Sequence, residues 1–286
     1  MKLDFAIITP SYNQGEFIER TIKSVLQQNN VTLKHFIIDG GSKDQTLNIL
    51  NKYKHKIDFV SEKDNGQTHA INKGIRKSES KYIGWLNSDD IYYSNTLELV
   101  KKTFEKNPNV DLVYGEAYHI NEHDEFIENY PVDDWDVNKL KNTCFICQPA
   151  AFFKRSTIEK FGFLNEDLQF CMDYEFWLRL STKKIHAKRV HNLLAGSRMY
   201  DNNKTKSQII SVHKEIIIML KEKFNLAPDR WLFNYAIVVI RKLKLNESSF
   251  IFKFLFAVFS ILVSLRFNFK VRKSMFSQIF NWFQSQ

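Results

Sequence analysis

The first 120 residues alternate between two periods. Residues 3–9 (LDFAIIT) are an apolar run of strand length, and residues 16–28 then place Ile18, Ile22, Val25 and Leu26 at helical spacing. The alternation returns at 35–39 (HFIID), followed past Gly40-Gly41-Ser42 by a helix carrying Leu47, Leu50 and Tyr53. It returns again at 57–61 with a helix over 66–77, and at 81–86 with a helix over 94–106, before a strand at 110–118. Strands alternating with helices of about ten residues predict βαβ units: an α/β chain with a mostly parallel sheet flanked by helices. Beyond Tyr118 the pattern loosens. FIENYP and QPAAFFK read as short strands, and 172–182 as a helix with Phe176, Leu178 and Leu180 in the core.

Sheets of this kind bind ligands outside the carboxyl ends of their strands. Those ends read Thr9-Pro10-Ser11-Tyr12-Asn13, Asp39-Gly40-Gly41-Ser42, Ser61-Glu62-Lys63-Asp64-Asn65-Gly66 and Asn87-Ser88-Asp89-Asp90. All four are small, polar or acidic and are expected along one edge. Adjacent Asp89 and Asp90 have two readings: ordinary turn and cap chemistry, or a site for a cation, since an ionised carboxylate is costly to bury alone.

A chain of 286 residues, 44% hydrophobic and 26% charged, can bury a large core, which excludes a disordered protein. Three cysteines, Cys144, Cys147 and Cys171, point to a reducing compartment, and one CxxC pair without a second excludes a zinc site on ligand count. The first residues read as a strand and not as a secretory signal, so the protein is expected in the cytosol.

The charge is uneven. Residues 221–286 hold eleven Lys and Arg against three Asp and Glu, a net +8 of the chain's +9. This argues against a nucleic-acid-binding catalytic face and for a basic tail with its own task. The tail carries FIFKFLFAVFSILVSL at 250–265, whose apolar run is interrupted by Lys253, and then Phe276, Ile279, Phe280 and Phe283 at helical spacing behind Arg266, Lys270, Arg272 and Lys273. An apolar face with basic neighbours suits a helix lying on an anionic leaflet. Packing on the catalytic domain or a homodimer contact are the other readings.

In order along the chain, TPSYNQGEFIERTIKSVLQQ, IIDGGSKDQT, SEKDNGQTHAINKGI, GWLNSDD, QPAAFF, MDYEFWLRL and SRMYDNNKT resemble the family 2 glycosyltransferases. The resemblance covers residues 3–205 and implies a GT-A (Rossmann-like) domain over 1–205, with an α-helical extension over 206–286. It implies an inverting transferase that moves a sugar from a nucleotide-diphosphate donor, a UDP-sugar, to a glycan or lipid-linked acceptor in surface polysaccharide synthesis. A divalent cation, Mn2+ or Mg2+, would be held by Asp89 with Asp90. Thr9, Pro10, Tyr12, Asp39, Asp64, Gly66, Asn72, Asn87, Ser88, Arg198 and Lys204 match donor-binding positions, and Asp173 matches the catalytic base, with Glu175 as second choice. The protein would sit peripherally on the cytoplasmic face of the inner membrane.

Three positions depart from the family pattern. Asn87, Gly40 and Met172 stand where the motifs usually carry acids, and they keep open a catalytically inactive glycan-binding or scaffold protein. A sugar-phosphate nucleotidyltransferase would need a glycine-rich, basic loop after the first strand, which TPSYNQGEF is not.

Overall fold

The computed structural model describes residues 3–201 and 203–284. The chain divides into two compact units, one made of residues 1–137 and 144–201, the other of 138–143 and 202–286.

The first unit begins as the periodicity predicts: β1 (Leu3–Ser11), α1 (Ile18–Leu26), β2 (Leu33–Asp39), α2 (Thr46–Tyr53), β3 (Asp58–Ser61), α3 (Gln67–Lys77) and β4 (Ser80–Trp85). A two-residue β5 (Ile91–Tyr92) precedes α4 (Thr96–Lys106), β6 (Leu112–Ile120), β7 (Phe126–Asn129) and α5 (Val137–Asn142), the last nearly all in the second unit. Then come β8 (Ala151–Lys154), α6 (Arg155–Phe161), α7 (Met172–Ser181) and β9 (Ala187–Arg198).

One sheet runs through the unit in the order β3-β2-β1-β4-β8-β6-β9-β5, with β7 paired to β6. The half from β3 to β4 is parallel throughout, as expected for βαβ units. Antiparallel pairings of β8 with β4 and β6, and of β5 with β9, make the other half mixed. Register levels the strand ends: Ser11 stands opposite Asp39, and Asp39 opposite Ser61. The carboxyl-end loops therefore share one edge.

The sheet is held by helices whose apolar residues recur every three or four positions. Helix α1 buries Ile18, Ile22 and Val25. Phe5, Tyr82, Phe104 and Phe152 fill the core, with Tyr82 and Phe104 stacked at 4.5 Å, a contact worth about 0.5–1.5 kcal/mol beyond the area it buries. Gly84 is forced by proximity: a Cβ there would meet the Tyr92 hydroxyl at 2.7 Å.

The second unit is helical, as expected: α8 (Lys204–Ser207), α9 (Ile209–Phe224), α10 (Asp229–Ile240), α11 (Phe250–Asn268) and α12 (Lys273–Gln284). Its core joins Ala236 and Ile240 of α10 to Phe252 and Phe256 of α11, with Phe233 and Trp282 against them. Asn225, in the left-handed region at φ 58, ends α9. Ser249 caps α11 by accepting the Phe252 N–H at 3.2 Å.

Candidate active site

The loop after β1 is laced to the loop after β2. The Asn13 N–H donates to Ser42 Oγ (2.7 Å), Lys43 N–H to Asn13 Oδ1 (2.8 Å), and Gly15 N–H to Asp44 Oδ2 (2.8 Å). Asp39 is the anchor beneath them. Its carboxylate accepts the N–H groups of Gly41 (3.1 Å) and Ser42 (3.0 Å) and the hydroxyls of Ser42 (2.5 Å) and Ser61 (2.6 Å). Through these bonds Asp39, expected among the donor-binding residues, also shapes the two loops around it.

Thr9 and Pro10, expected to bind the donor, lie near the end of β1. Both are buried strand residues, and the Thr9 hydroxyl is paired with His35 Nε2 at 2.9 Å. Burial drives the His35 pKa down to about 3, so its ring stays neutral. Tyr12 is the member of this loop that faces outward, at 60% exposure. A ring so placed at the sheet edge can stack on a base.

In the loop after β3, Asp64 Oδ1 accepts the Gly66 N–H at 2.9 Å, and Gly66 turns the chain at φ 110 into α3. Gly40 lies against the same acid: a Cβ on Gly40 would stand 3.0 Å from Asp64 Oδ2. The glycine found where the family motif carries an acid thus makes room for the Asp64 carboxylate. Asn72 is buried, bonding Leu164 through both its amide atoms (2.9 and 3.1 Å) and donating to Glu166 Oε1 (2.8 Å). Asn72, expected to bind the donor, thereby pins residues 164–166.

The loop after β4 explains the Asn87 departure. Asn87 Oδ1 accepts the amide of Gln67 (2.9 Å) and the indole N–H of Trp85 (2.8 Å), while its amide donates to Asp90 Oδ2 (3.2 Å) and Gln148 Oε1 (3.1 Å). An aspartate could not make the last two bonds and would set a third carboxylate against Asp90. Ser88 is buried, and its carbonyl takes the Thr21 hydroxyl at 2.9 Å.

Asp89 and Asp90 face different surroundings. Asp90, 3% exposed, accepts the Arg198 N–H on Oδ1 (2.8 Å) and Asn87 on Oδ2. Burial and the negative charge of Asp89 push its carboxyl well above the usual carboxylate range, against the pull of Arg198 and Asn87. Asp90, expected beside Asp89 as a metal ligand, thus also braces its loop. Asp89 takes the Tyr200 hydroxyl on Oδ2 at 3.1 Å. Burial raises its pKa too, opposed by Tyr200 and Arg198.

Arg198, expected to bind the donor, ends β9. At 1% exposure, its guanidinium donates to the carbonyls of Asp89 (2.7 Å) and Asn121 (2.6 Å) and pairs with Asp124, over the Phe17 ring at 5.0 Å. It clasps the β6–β7 turn to the Asp89 loop. Lys204 begins α8, in the second unit.

Asp173 lies in the first turn of α7. Burial first, then the negative charges of Asp90, Cys144 and Asp173, push the Cys147 thiol upward. Glu175, the second choice for the base, is buried and bonded to Arg179 (3.2 Å), which also holds the carbonyls of Gly162 (3.2 Å) and Phe163 (2.8 Å). That pair is structural.

Two contributors escaped the sequence reading. Tyr200 lies two positions past Arg198 in SRMYDNNKT, and its ring packs on Phe17 at 4.8 Å. Gln148 donates to the Trp85 carbonyl at 2.5 Å and would have read as a turn residue before a proline.

Among the described residues no three His, Cys, Asp or Glu side chains come together to hold a metal ion. A cation here would meet one protein carboxylate, Asp89, and would draw its remaining oxygens from a substrate. Burial leaves both acids poorly solvated, and the Asp89 carboxylate is an oxygen donor of the kind a hard divalent cation takes.

Residues 6–162 match the family described as Glycosyl transferase family 2. The chain belongs to this family. This family 2 member is 27% identical over 218 residues to an uncharacterized glycosyltransferase of Rickettsia typhi, covering 71% of this chain and 66% of that protein. It is 28% identical over 214 residues to the chondroitin synthase of Escherichia coli, covering 73% of this chain but 31% of that enzyme, so it spans only part of these relatives. Among solved structures it resembles S. aureus TarS in complex with UDP-GlcNAc (TM-score 0.64, 12% identity, 93% of this chain and 82% of the other). It also resembles the mannosyltransferase PcManGT from Pyrobaculum calidifontis in complex with GDP-Man and Mn2+ (TM-score 0.63, 15% identity, 98% and 79%). At these identities the likeness establishes the GT-A fold alone.

Proposed function

We propose that the first unit is an inverting glycosyltransferase that moves a sugar from a UDP-sugar to a hydroxyl of a glycan or lipid-linked acceptor in surface polysaccharide synthesis. The observation that carries the reading is the pair at the end of β4: a carboxylate, Asp89, held on one oxygen by Tyr200, in a loop whose Asn87 and Asp90 side chains are fastened to protein. Tyr12 would stack on the base, and Asp64 and Ser88 would line the ribose and sugar side of the edge. A divalent cation, Mn2+ or Mg2+, held by Asp89 would neutralise charge developing on the diphosphate as it leaves.

The chain's own residues do the rest. Tyr200 and Arg198 fix Asp89 in orientation from two sides. Asp173 would take the proton of the acceptor hydroxyl as that oxygen attacks the anomeric carbon on the face opposite the diphosphate. The buried Met172 and Tyr174 beside it would limit competing water. The uridine nucleotide is supported by the TarS likeness, and a guanosine donor, as bound by PcManGT, is the competing outcome.

The test is turnover and nucleotide binding by the full chain and by Asp173→Asn. A transferase loses turnover by about 10²–10⁴-fold while its affinity for nucleotide holds. Nucleotide binding with no turnover by the wild-type chain, across donors and acceptors, would contradict the reading and favour an inactive scaffold.

A further inference from the structure

Helix α11 of the second unit has two unlike faces. Phe252, Phe256, Ser260, Val263, Ser264 and Asn268 are buried inside the unit. Phe250, Phe254, Val258, Leu262, Leu265 and Phe269 recur at intervals of three and four residues on the other side and are exposed: 74% for Phe250, 52% for Phe254, 53% for Leu262 and 78% for Phe269. Six large apolar side chains in one stripe exceed the scattered exposure normal for a soluble surface.

Charge complementarity indicates what covers the stripe. Lys253 lies on the helix between Phe250 and Phe254, Arg266 beside Leu265, and exposed Lys270 and Lys273 follow its end. A groove of about 860 Å³ between α9, α10 and α11 opens beside it, with Lys214, Lys221 and Arg266 set among Ile218, Phe259 and Leu262. Leu262 belongs to both stripe and groove, so the apolar surface continues into a cationic one. We infer that this face lies in the plane of an anionic bilayer, with the stripe among the acyl chains and the basic residues at the level of the lipid phosphates.

The same helix, at about 28 Å, is long enough to cross a hydrocarbon core of about 30 Å. Its inner face opposes that arrangement. The Asn268 amide bonds both the N–H and the carbonyl of Ala227 at 2.9 Å, Ser264 donates to the Lys270 carbonyl at 2.7 Å, and Phe252 and Phe256 pack on Ala236 and Ile240. A spanning helix would strip these contacts away, whereas one lying at the surface keeps them. This inference is independent of the donor site in the first unit.

The test is sedimentation of the full chain with vesicles of phosphatidylcholine, with and without phosphatidylglycerol, at low and high salt. The wild type is expected to bind the phosphatidylglycerol vesicles, to release as salt rises, and to wash off with alkaline carbonate. Phe254→Glu with Leu262→Glu should lower vesicle partition by at least about tenfold at unchanged Tm, and Lys270→Glu with Lys273→Glu should remove the preference for anionic lipid. Absence of vesicle binding, or equal binding by wild type and the Phe254/Leu262 variant, would overturn the inference. So would a wild-type dimer by light scattering that this variant makes monomeric, which would assign the stripe to a second copy. Retention in the pellet after carbonate would overturn it in favour of a spanning helix.

Discussion

The carboxyl edge of the sheet and the outer face of α11 break the burial rule in opposite senses. At the edge, carboxylates are buried: Asp39 and Asp90 lie inside the protein, each with its oxygens fastened to neighbouring N–H or hydroxyl groups. On α11, large apolar side chains are exposed in a row. A buried acid and an exposed phenylalanine each cost stability where they stand, so each marks a place where something other than folding has set the residue. The comparison separates the tasks proposed for the two units: the first would use its acids for a cation beside a diphosphate, and the second would present apolar surface and positive charge to a lipid surface.

The largest effect expected is on turnover, where Asp173→Asn should remove about two to four orders of magnitude from kcat and leave nucleotide affinity in place. Loss of both together would move Asp173 from catalysis to folding. Next is Asn87→Asp, which deletes the donations to Asp90 and Gln148 and adds a like charge. It should destabilise the cation-free protein by about 1–3 kcal/mol by urea titration, with part of the loss restored by Mn2+. An unchanged midpoint would show that the hub is not as tightly bonded as its distances indicate.

A smaller effect separates function from stability at one residue. Asp90 and Asp89 bind protons more tightly folded than unfolded, so their contribution to stability falls as pH rises above the ordinary carboxylate value of 3.8 toward their raised values. Asp89→Asn should therefore raise the Tm of cation-free protein at neutral pH by about 2–4 °C while abolishing cation-dependent turnover. A lower Tm would mean that Asp89 is a structural acid after all. The smallest effect concerns His35, neutral when folded with a pKa of about 3 against 6.5 for the free side chain. Stability should decline as pH falls from 6.5 toward 3 as the unfolded chain takes up that proton, and His35→Gln should flatten this part of the acid limb.

Much of the edge was legible in the sequence because short apolar runs with polar ends declare strands and their carboxyl termini without reference to anything distant. The direction in which each polar side chain points was not legible. Asp39 ends β2 and Asp64 lies in the loop after β3, yet Asp39 is enclosed by Ser42 and Ser61 while Asp64 stands against Gly40, and only register determines which. The burial of Arg198 was not legible, because charge says nothing of burial. It lies on β9, a strand the pattern did not announce: only Val190 is buried among its first seven residues, and its buried run begins at Leu194. Tyr200 and Gln148 were missed for a related reason, since their partners Asp89 and Trp85 are 111 and 63 positions away.

The most direct test of the central claim, that Asp89 holds a cation for the departure of a nucleotide diphosphate, is hydrolysis of a panel of nucleotide sugars by the purified chain. Released diphosphate would be read with Mn2+, with Mg2+ and with chelator, for wild type and Asp89→Ala. The account predicts release from one uridine donor, lost with chelator and lost in Asp89→Ala. Release that continues undiminished in Asp89→Ala, or that ignores the chelator, would contradict it.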